Sequence, residues 1–149
     1  MIPIEVSAAL VFRQGRLLIT RRLPHEHLGG LWEFPGGKRE RGESWESCLA
    51  RELREELAFE IDVGRLLREV KHAYPEKVVR IRFFRCGVRS GEPKPIGCAE
   101  LAWIHPPQLS QYDFPPADAV LVEDLARHLD WWQDPPPPGA RPGKPIAER

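Results

Sequence analysis

Apolar residues follow two different spacings along this chain, and each change of spacing marks a new element. Glu5 to Phe12 is almost continuously apolar and partly β-branched, Arg13-Gln14-Gly15-Arg16 is polar, and Leu17 to Thr20 is apolar again. Two such runs around a glycine-bearing break predict a β-hairpin. Arg21 and Arg22 follow at the strand end. A loop from Leu23 to Leu31 comes next, with two histidines and Gly29-Gly30. Trp32-Glu33-Phe34 precedes Pro35, and proline pushes its predecessor out of helical geometry, so a short extended piece is expected. Gly36-Gly37 then allow backbone conformations that side chains forbid.

From Ser44 the period lengthens. Leu49, Leu53 and Leu57 recur every fourth residue with Ala50 beside them, which predicts a helix with one apolar face and Ser44 as its N-cap. Ala58 falls where a left-handed glycine would close that helix, and alanine there costs about 1 kcal/mol. Ile61 to Val70 and Val78 to Val88 are β-branched and aromatic and form a second predicted hairpin through Tyr74-Pro75-Glu76-Lys77. Arg89 to Ile96 reads as a loop and Leu101 to Ile104 as a short strand. Leu121, Val122, Leu125 and Leu129 have helical spacing across Ala117 to Trp132. Four prolines, Pro135 to Pro138, then open a polar, glycine- and proline-rich end. The expected organisation is one domain over 1–133 and an extended, disordered tail over 134–149.

Composition narrows the function. The 149 residues carry 22 basic and 22 acidic side chains, and a zero net charge argues against a nucleic-acid polymer as partner. It leaves a small phosphorylated ligand open. Cys48, Cys86 and Cys98 are odd in number and lack C-x-x-C spacing, so reduced thiols in a cytoplasmic protein are expected instead of disulfides or a zinc site. No apolar run has the length of a membrane span, and no secretory signal is visible.

The candidate chemistry lies in the first predicted helix, in Arg51-Glu52-Leu53-Arg54-Glu55-Glu56. On an ideal helix Glu52, Glu55 and Glu56 fall within an arc of roughly 100° that borders the leucine stripe. Like charges at such spacings repel by a few tenths of a kcal/mol per pair, roughly. A hard divalent cation such as Mg²⁺ or Mn²⁺ removes that conflict. By itself the segment also fits a solvated helix face with an Arg51–Glu55 pair. Gly37 and Glu43, at fixed distances upstream, decide between the two.

Gly37, Glu43 and Arg51 to Glu56 together resemble the Nudix box, G-x5-E-x7-R-E-U-x-E-E-x-G-U, with Ala58 in place of the second glycine. The lead-in L-W-E-F-P-G-G-K is similar to the MutT-like branch of that family. The resemblance covers about residues 4 to 132. It implies an α/β fold, an α/β/α sandwich with a mixed sheet between the Nudix helix and a C-terminal helix. It also implies a Mg²⁺-dependent monomeric hydrolase that splits a nucleoside triphosphate, such as 8-oxo-dGTP, into monophosphate and pyrophosphate and so cleanses the nucleotide pool. Glu52, Glu55 and Glu56 then become metal ligands. Gly37 shapes the loop and offers its carbonyl, Arg51 positions a glutamate, and Glu43 supports it.

The same resemblance points to Arg22, Phe34, Gly36, Gly37, Tyr74 and Lys77 as substrate-binding residues. Asp113 to Asp118 is similar to a D-F-P-P-A-N segment whose asparagine reads the oxidised base. Asp118 stands at that position here. An amide donates and accepts, whereas an ionised carboxylate only accepts, so the substrate stays open between 8-oxo-dGTP and modified CTP or dCTP. Plain alternatives exist: Asp118 as an N-terminal helix charge, and Phe34 and Tyr74 as core residues. MutT-like enzymes also carry a loop glutamate six residues before a tryptophan. Gly97 holds that position ahead of Trp103, so either Glu100 substitutes through a loop shift or the ligand is absent. A non-catalytic Nudix-fold damage-recognition module is the alternative class.

Overall fold

The computed structural model describes residues 2–135. The elements are β1 (Ile4–Arg13), β2 (Arg16–Arg21), β3 (Trp32–Glu33), β4 (Gly36–Lys38), α1 (Trp45–Leu57), β5 (Glu60–Tyr74), β6 (Lys77–Ser90), β7 (Glu100–Ile104) and α2 (Ala119–Arg127). Short 3-10 turns at Pro106–Gln111, Pro116–Asp118 and Leu129–Trp132 complete the described chain.

β1 is the axis of a mixed seven-stranded sheet. It runs parallel to β6 from Ile4↔Val79 to Val11↔Cys86 and antiparallel to β4 at Val6↔Lys38, Ser7↔Gly37 and Ala8↔Gly36. Its far end turns into β2, which carries β3 and β7. The unbroken apolar run of β1 follows from this central place, because both faces are covered. Ala8, Leu10 and Phe12 point into one layer with Leu121, Leu125, Trp131 and Trp132. Ala9 and Val11 point into the other with Leu49, Leu53 and Leu57. The result is the expected α/β/α sandwich, with α1 on one side and α2 on the other.

α1 begins where the sequence places it. Ser44 is extended and its side chain accepts from the Ser47 amide at 3.0 Å. At the other end Ala58 is left-handed, with φ 54° and ψ 39°. The loop before β7 then caps the helix: Lys94 donates to the Leu57 carbonyl, and Ile96 and Gly97 both donate to that of Glu56.

Two expectations need correction. The predicted helix Ala117 to Trp132 is interrupted, because α2 stops at Arg127 and His128 leaves helical geometry with φ −109° and ψ 70°. The break lets Trp131 and Trp132 turn back into the core, where the Trp132 indole donates to the Leu125 carbonyl at 3.1 Å. The second hairpin is also tighter than predicted, since β5 reaches Tyr74 and β6 starts at Lys77, leaving only Pro75-Glu76 between them. At the start of the predicted tail, the Asp134 carboxylate accepts from the Gln14 amide at 2.6 Å. The rest of that tail, 136–149, lies outside the described residues. No helix among the described residues is long and apolar enough to cross a membrane.

Candidate active site

The site starts from two glycines, Gly36 and Gly37, that let β4 lie close against β1 and α1. β4 lies so close to β1 that a Cβ on Gly36 would sit 1.9 Å from the Ser7 carbonyl oxygen. A Cβ on Gly37 would sit 2.2 Å from Cδ of Glu52. The bare backbone of β4 therefore lets α1 settle with the Glu52 carboxyl directly over it.

Arg51 organises the acidic residues around that contact. Its guanidinium donates to Glu43 at 2.5 and 3.0 Å, to Glu52 at 2.9 Å, to Glu55 at 3.1 Å and to the Lys38 carbonyl at 3.2 Å. Charge-assisted bonds of this kind fix geometry as well as adding energy. They hold the Glu43 carboxyl down at about 2, with a further bond from the Glu40 amide. Glu56, one turn beyond Glu52, is in the opposite condition. Burial, a hydrogen bond with Glu52 and the Glu52 charge push it up to about 8. Two carboxyls this close cannot both ionise without a counter-charge.

Glu52 and Glu56 open into a cavity of about 390 Å³, walled near them by Gly36, Gly37, Lys38 and Gly97. Its other end is lined by Phe34, Tyr74, Lys77 and Asp118, and Arg22 and Glu33 also face it. Phe34 stacks on Phe114 with centroids 5.0 Å apart and meets Phe83 edge-on, so it is core and cavity wall at once. Tyr74 packs between His27 and His72, with the Lys77 ammonium 5.8 Å from its ring centroid. Arg22 donates to Glu33 at 2.6 Å and to the His27 carbonyl at 2.7 Å. Burial raises the Glu33 carboxyl in spite of that arginine. Asp118 is buried and forms no helix-capping hydrogen bond. Burial, with the Glu33 charge added, pushes it up to about 7.

The structure thus gathers Arg22, Phe34, Gly36, Gly37, Glu52, Glu56, Tyr74, Lys77 and Asp118 on one cavity. Arg51 and Glu43 stand behind it. Glu55 is not brought in: Arg51 draws it outward at i, i+4, and its side chain is 59% exposed. Glu100 is also outside, 3.6 Å from Arg21 and 54% exposed, so it does not take the place of the acid missing at Gly97. Among the described residues no three acidic, imidazole or thiol side chains converge on one point. The donor pair Glu52–Glu56 nonetheless suits a hard divalent cation, whose charge would replace the proton held between them. The Gly37 carbonyl accepts from the Cys48 thiol at 3.6 Å.

Glu26, His27, Glu33 and Lys38 line the cavity but were not singled out from the sequence.

A family model described as NUDIX domain matches residues 7–124. The Escherichia coli (strain K12) protein named CTP pyrophosphohydrolase is 35% identical over 120 residues, 80% of this chain and 89% of that protein. The Haemophilus influenzae protein named 8-oxo-dGTP diphosphatase is 32% identical over 123 residues, 82% and 90% respectively. The solution structure of the E. coli ORF135 protein superposes with a TM-score of 0.74 at 34% identity, covering 86% of this chain and 91% of that one.

Proposed function

The chain belongs to the NUDIX domain family, and from that premise we propose that its cavity hydrolyses a modified nucleoside triphosphate to the monophosphate and pyrophosphate. One observation carries this reading. A carboxylate pair, Glu52 and Glu56, and an aromatic-walled compartment ending at Asp118 open on a single cavity of about 390 Å³, so one bound molecule spans both. Relatives named as diphosphatase and pyrophosphohydrolase support it.

Enzymes of this family act with a divalent metal, and Mg²⁺ is the ion proposed here. Glu52 and Glu56 would hold it, with Glu55 able to join only by leaving Arg51. A cation so held would neutralise the diphosphate and polarise an attacking water. Arg51 keeps Glu52 aimed across Gly37 and spares it from pairing elsewhere. Lys38 supplies positive charge on the cavity wall for the phosphates, and Lys77 lies beside Tyr74 at the base end. Phe34 and Tyr74 form the apolar walls against which a base packs. Asp118, whose carboxyl burial raises to about 7, can in its protonated form offer a hydrogen-bond donor that an ionised carboxylate lacks. A donating carboxyl suits a base that presents an acceptor, so 8-oxo-dGTP and modified CTP or dCTP both remain candidates. The enzyme is read as a monomer acting on a small nucleotide in the cytoplasm, where its free thiols would stay reduced.

A panel of 8-oxo-dGTP, dGTP, 5-hydroxy-dCTP and CTP with Mg²⁺ tests the assignment, alongside Asp118→Asn. Turnover of at least one modified nucleotide well above its parent is expected, with selectivity changed in Asp118→Asn. Absence of turnover across the panel would rule the reading out.

A further inference from the structure

The loop before β7 brings no acid to the site. Gly97 donates to the Glu56 carbonyl at 2.9 Å, and a Cβ there would lie 3.1 Å from Glu56 Cγ and 3.3 Å from its Cα. This loop is committed to sealing the end of α1. The remaining acids around the diphosphate end are mostly engaged: Glu33 by Arg22, Glu43 and Glu55 by Arg51, and Glu52 and Glu56 by each other. Asp118 lies at the far end with Phe34 and Tyr74.

Glu26 is the exception. It projects from the loop between β2 and β3, which is folded tightly on itself. The Glu26 amide donates to the Leu23 carbonyl and the Gly29 amide donates to that of Glu26. Leu28 is left-handed at φ 58°, and Gly29 passes so near Pro24 that a Cβ would meet its carbonyl oxygen at 2.3 Å. This fold holds Glu26 on the cavity wall. Its Oε1 accepts from the Leu23 amide at 3.0 Å, and its Oε2 has no protein partner among the described residues. It lines the same cavity as Glu52, Glu56 and Gly97.

We propose that Glu26 is the general base of this site, acting from the wall of the cavity that Glu52 and Glu56 also line. The inference rests on the hydrolase reading above. In the step, the water oxygen bonds to a phosphorus flanking the α–β bridge, and the bond from that phosphorus to the bridging oxygen breaks. The bridging oxygen leaves with the electron pair, and the water's proton passes to Glu26 Oε2 and then to solvent.

Glu26→Gln separates charge from loop structure, because the amide oxygen can still accept from Leu23. The variant should lose about 100-fold or more in kcat, with KM and calorimetric Mn²⁺ affinity unchanged. Glu100→Gln should behave as wild type. A Glu26→Gln enzyme with near-normal kcat overturns the proposal, as does a parallel loss of Mn²⁺ affinity, which would make Glu26 a ligand. An equal loss in Glu100→Gln overturns it too. No turnover by the wild-type chain overturns both this inference and the reading beneath it, whereas turnover that survives Glu26→Gln overturns this one alone.

Discussion

Two glutamates of the site are driven in opposite directions. Arg51 holds the Glu43 carboxyl down at about 2, while burial beside Glu52 pushes Glu56 up to about 8, and Asp118 is raised to about 7 at the far end. Glu56 and Asp118 bind a proton more tightly folded than unfolded. The stability they contribute is full below their ordinary values and is lost as pH rises through about 7 to 8. Glu43 has the opposite sign: its contribution is full above its ordinary value of 4.5 and is lost only as pH falls from there toward about 2. In metal-free protein the melting temperature should therefore fall between pH 5 and pH 8.5. Glu56→Gln and Asp118→Asn should each flatten that fall in thermal scans, and an unchanged slope in both would refute the burial argument. Arg51→Lys cannot reproduce a fork that reaches three carboxylates. It should lower kcat by roughly tenfold to a hundredfold without unfolding the chain, as steady-state kinetics and circular dichroism would show.

At the scale of elements, α1 and β4 make one unit. Gly37→Ala puts a methyl group against Glu52, so activity should fall far more than stability, in paired kinetic and thermal measurements. Ala58→Gly acts in the reverse sense. It relieves a left-handed alanine and should stabilise by about 1 kcal/mol, a rise of a few degrees in melting temperature. The helix, its Ser44 cap and its strained end were legible in the sequence because each depends on neighbours within a turn. The pause at His128 was not, since the pattern of Leu121, Val122, Leu125 and Leu129 continues through it and only the burial of Trp131 and Trp132 requires it. Glu26 and Glu33 were hidden for a related reason. They join the site through loop closure and strand pairing, which leave no spacing in the chain. Glu55 shows the converse: helical spacing places it with Glu52 and Glu56, whereas its carboxylate is paired with Arg51.

Across the whole molecule, β1 ties the two layers together. The α1 layer supplies carboxylates and the α2 layer supplies the Asp118 end, and the cavity exists because β4 and the loop after β2 leave room between them. On the proposed function, a diphosphate is cut at the carboxylate end while its base sits at the Asp118 end. Phosphorus NMR of the products formed from 8-oxo-dGTP or 5-hydroxy-dCTP with Mg²⁺, by wild type and by Glu56→Gln, tests it most directly. The wild type should give monophosphate and pyrophosphate in equal amounts, and Glu56→Gln should lose both. Release of inorganic phosphate with a nucleoside diphosphate, or undiminished turnover in Glu56→Gln, would contradict it.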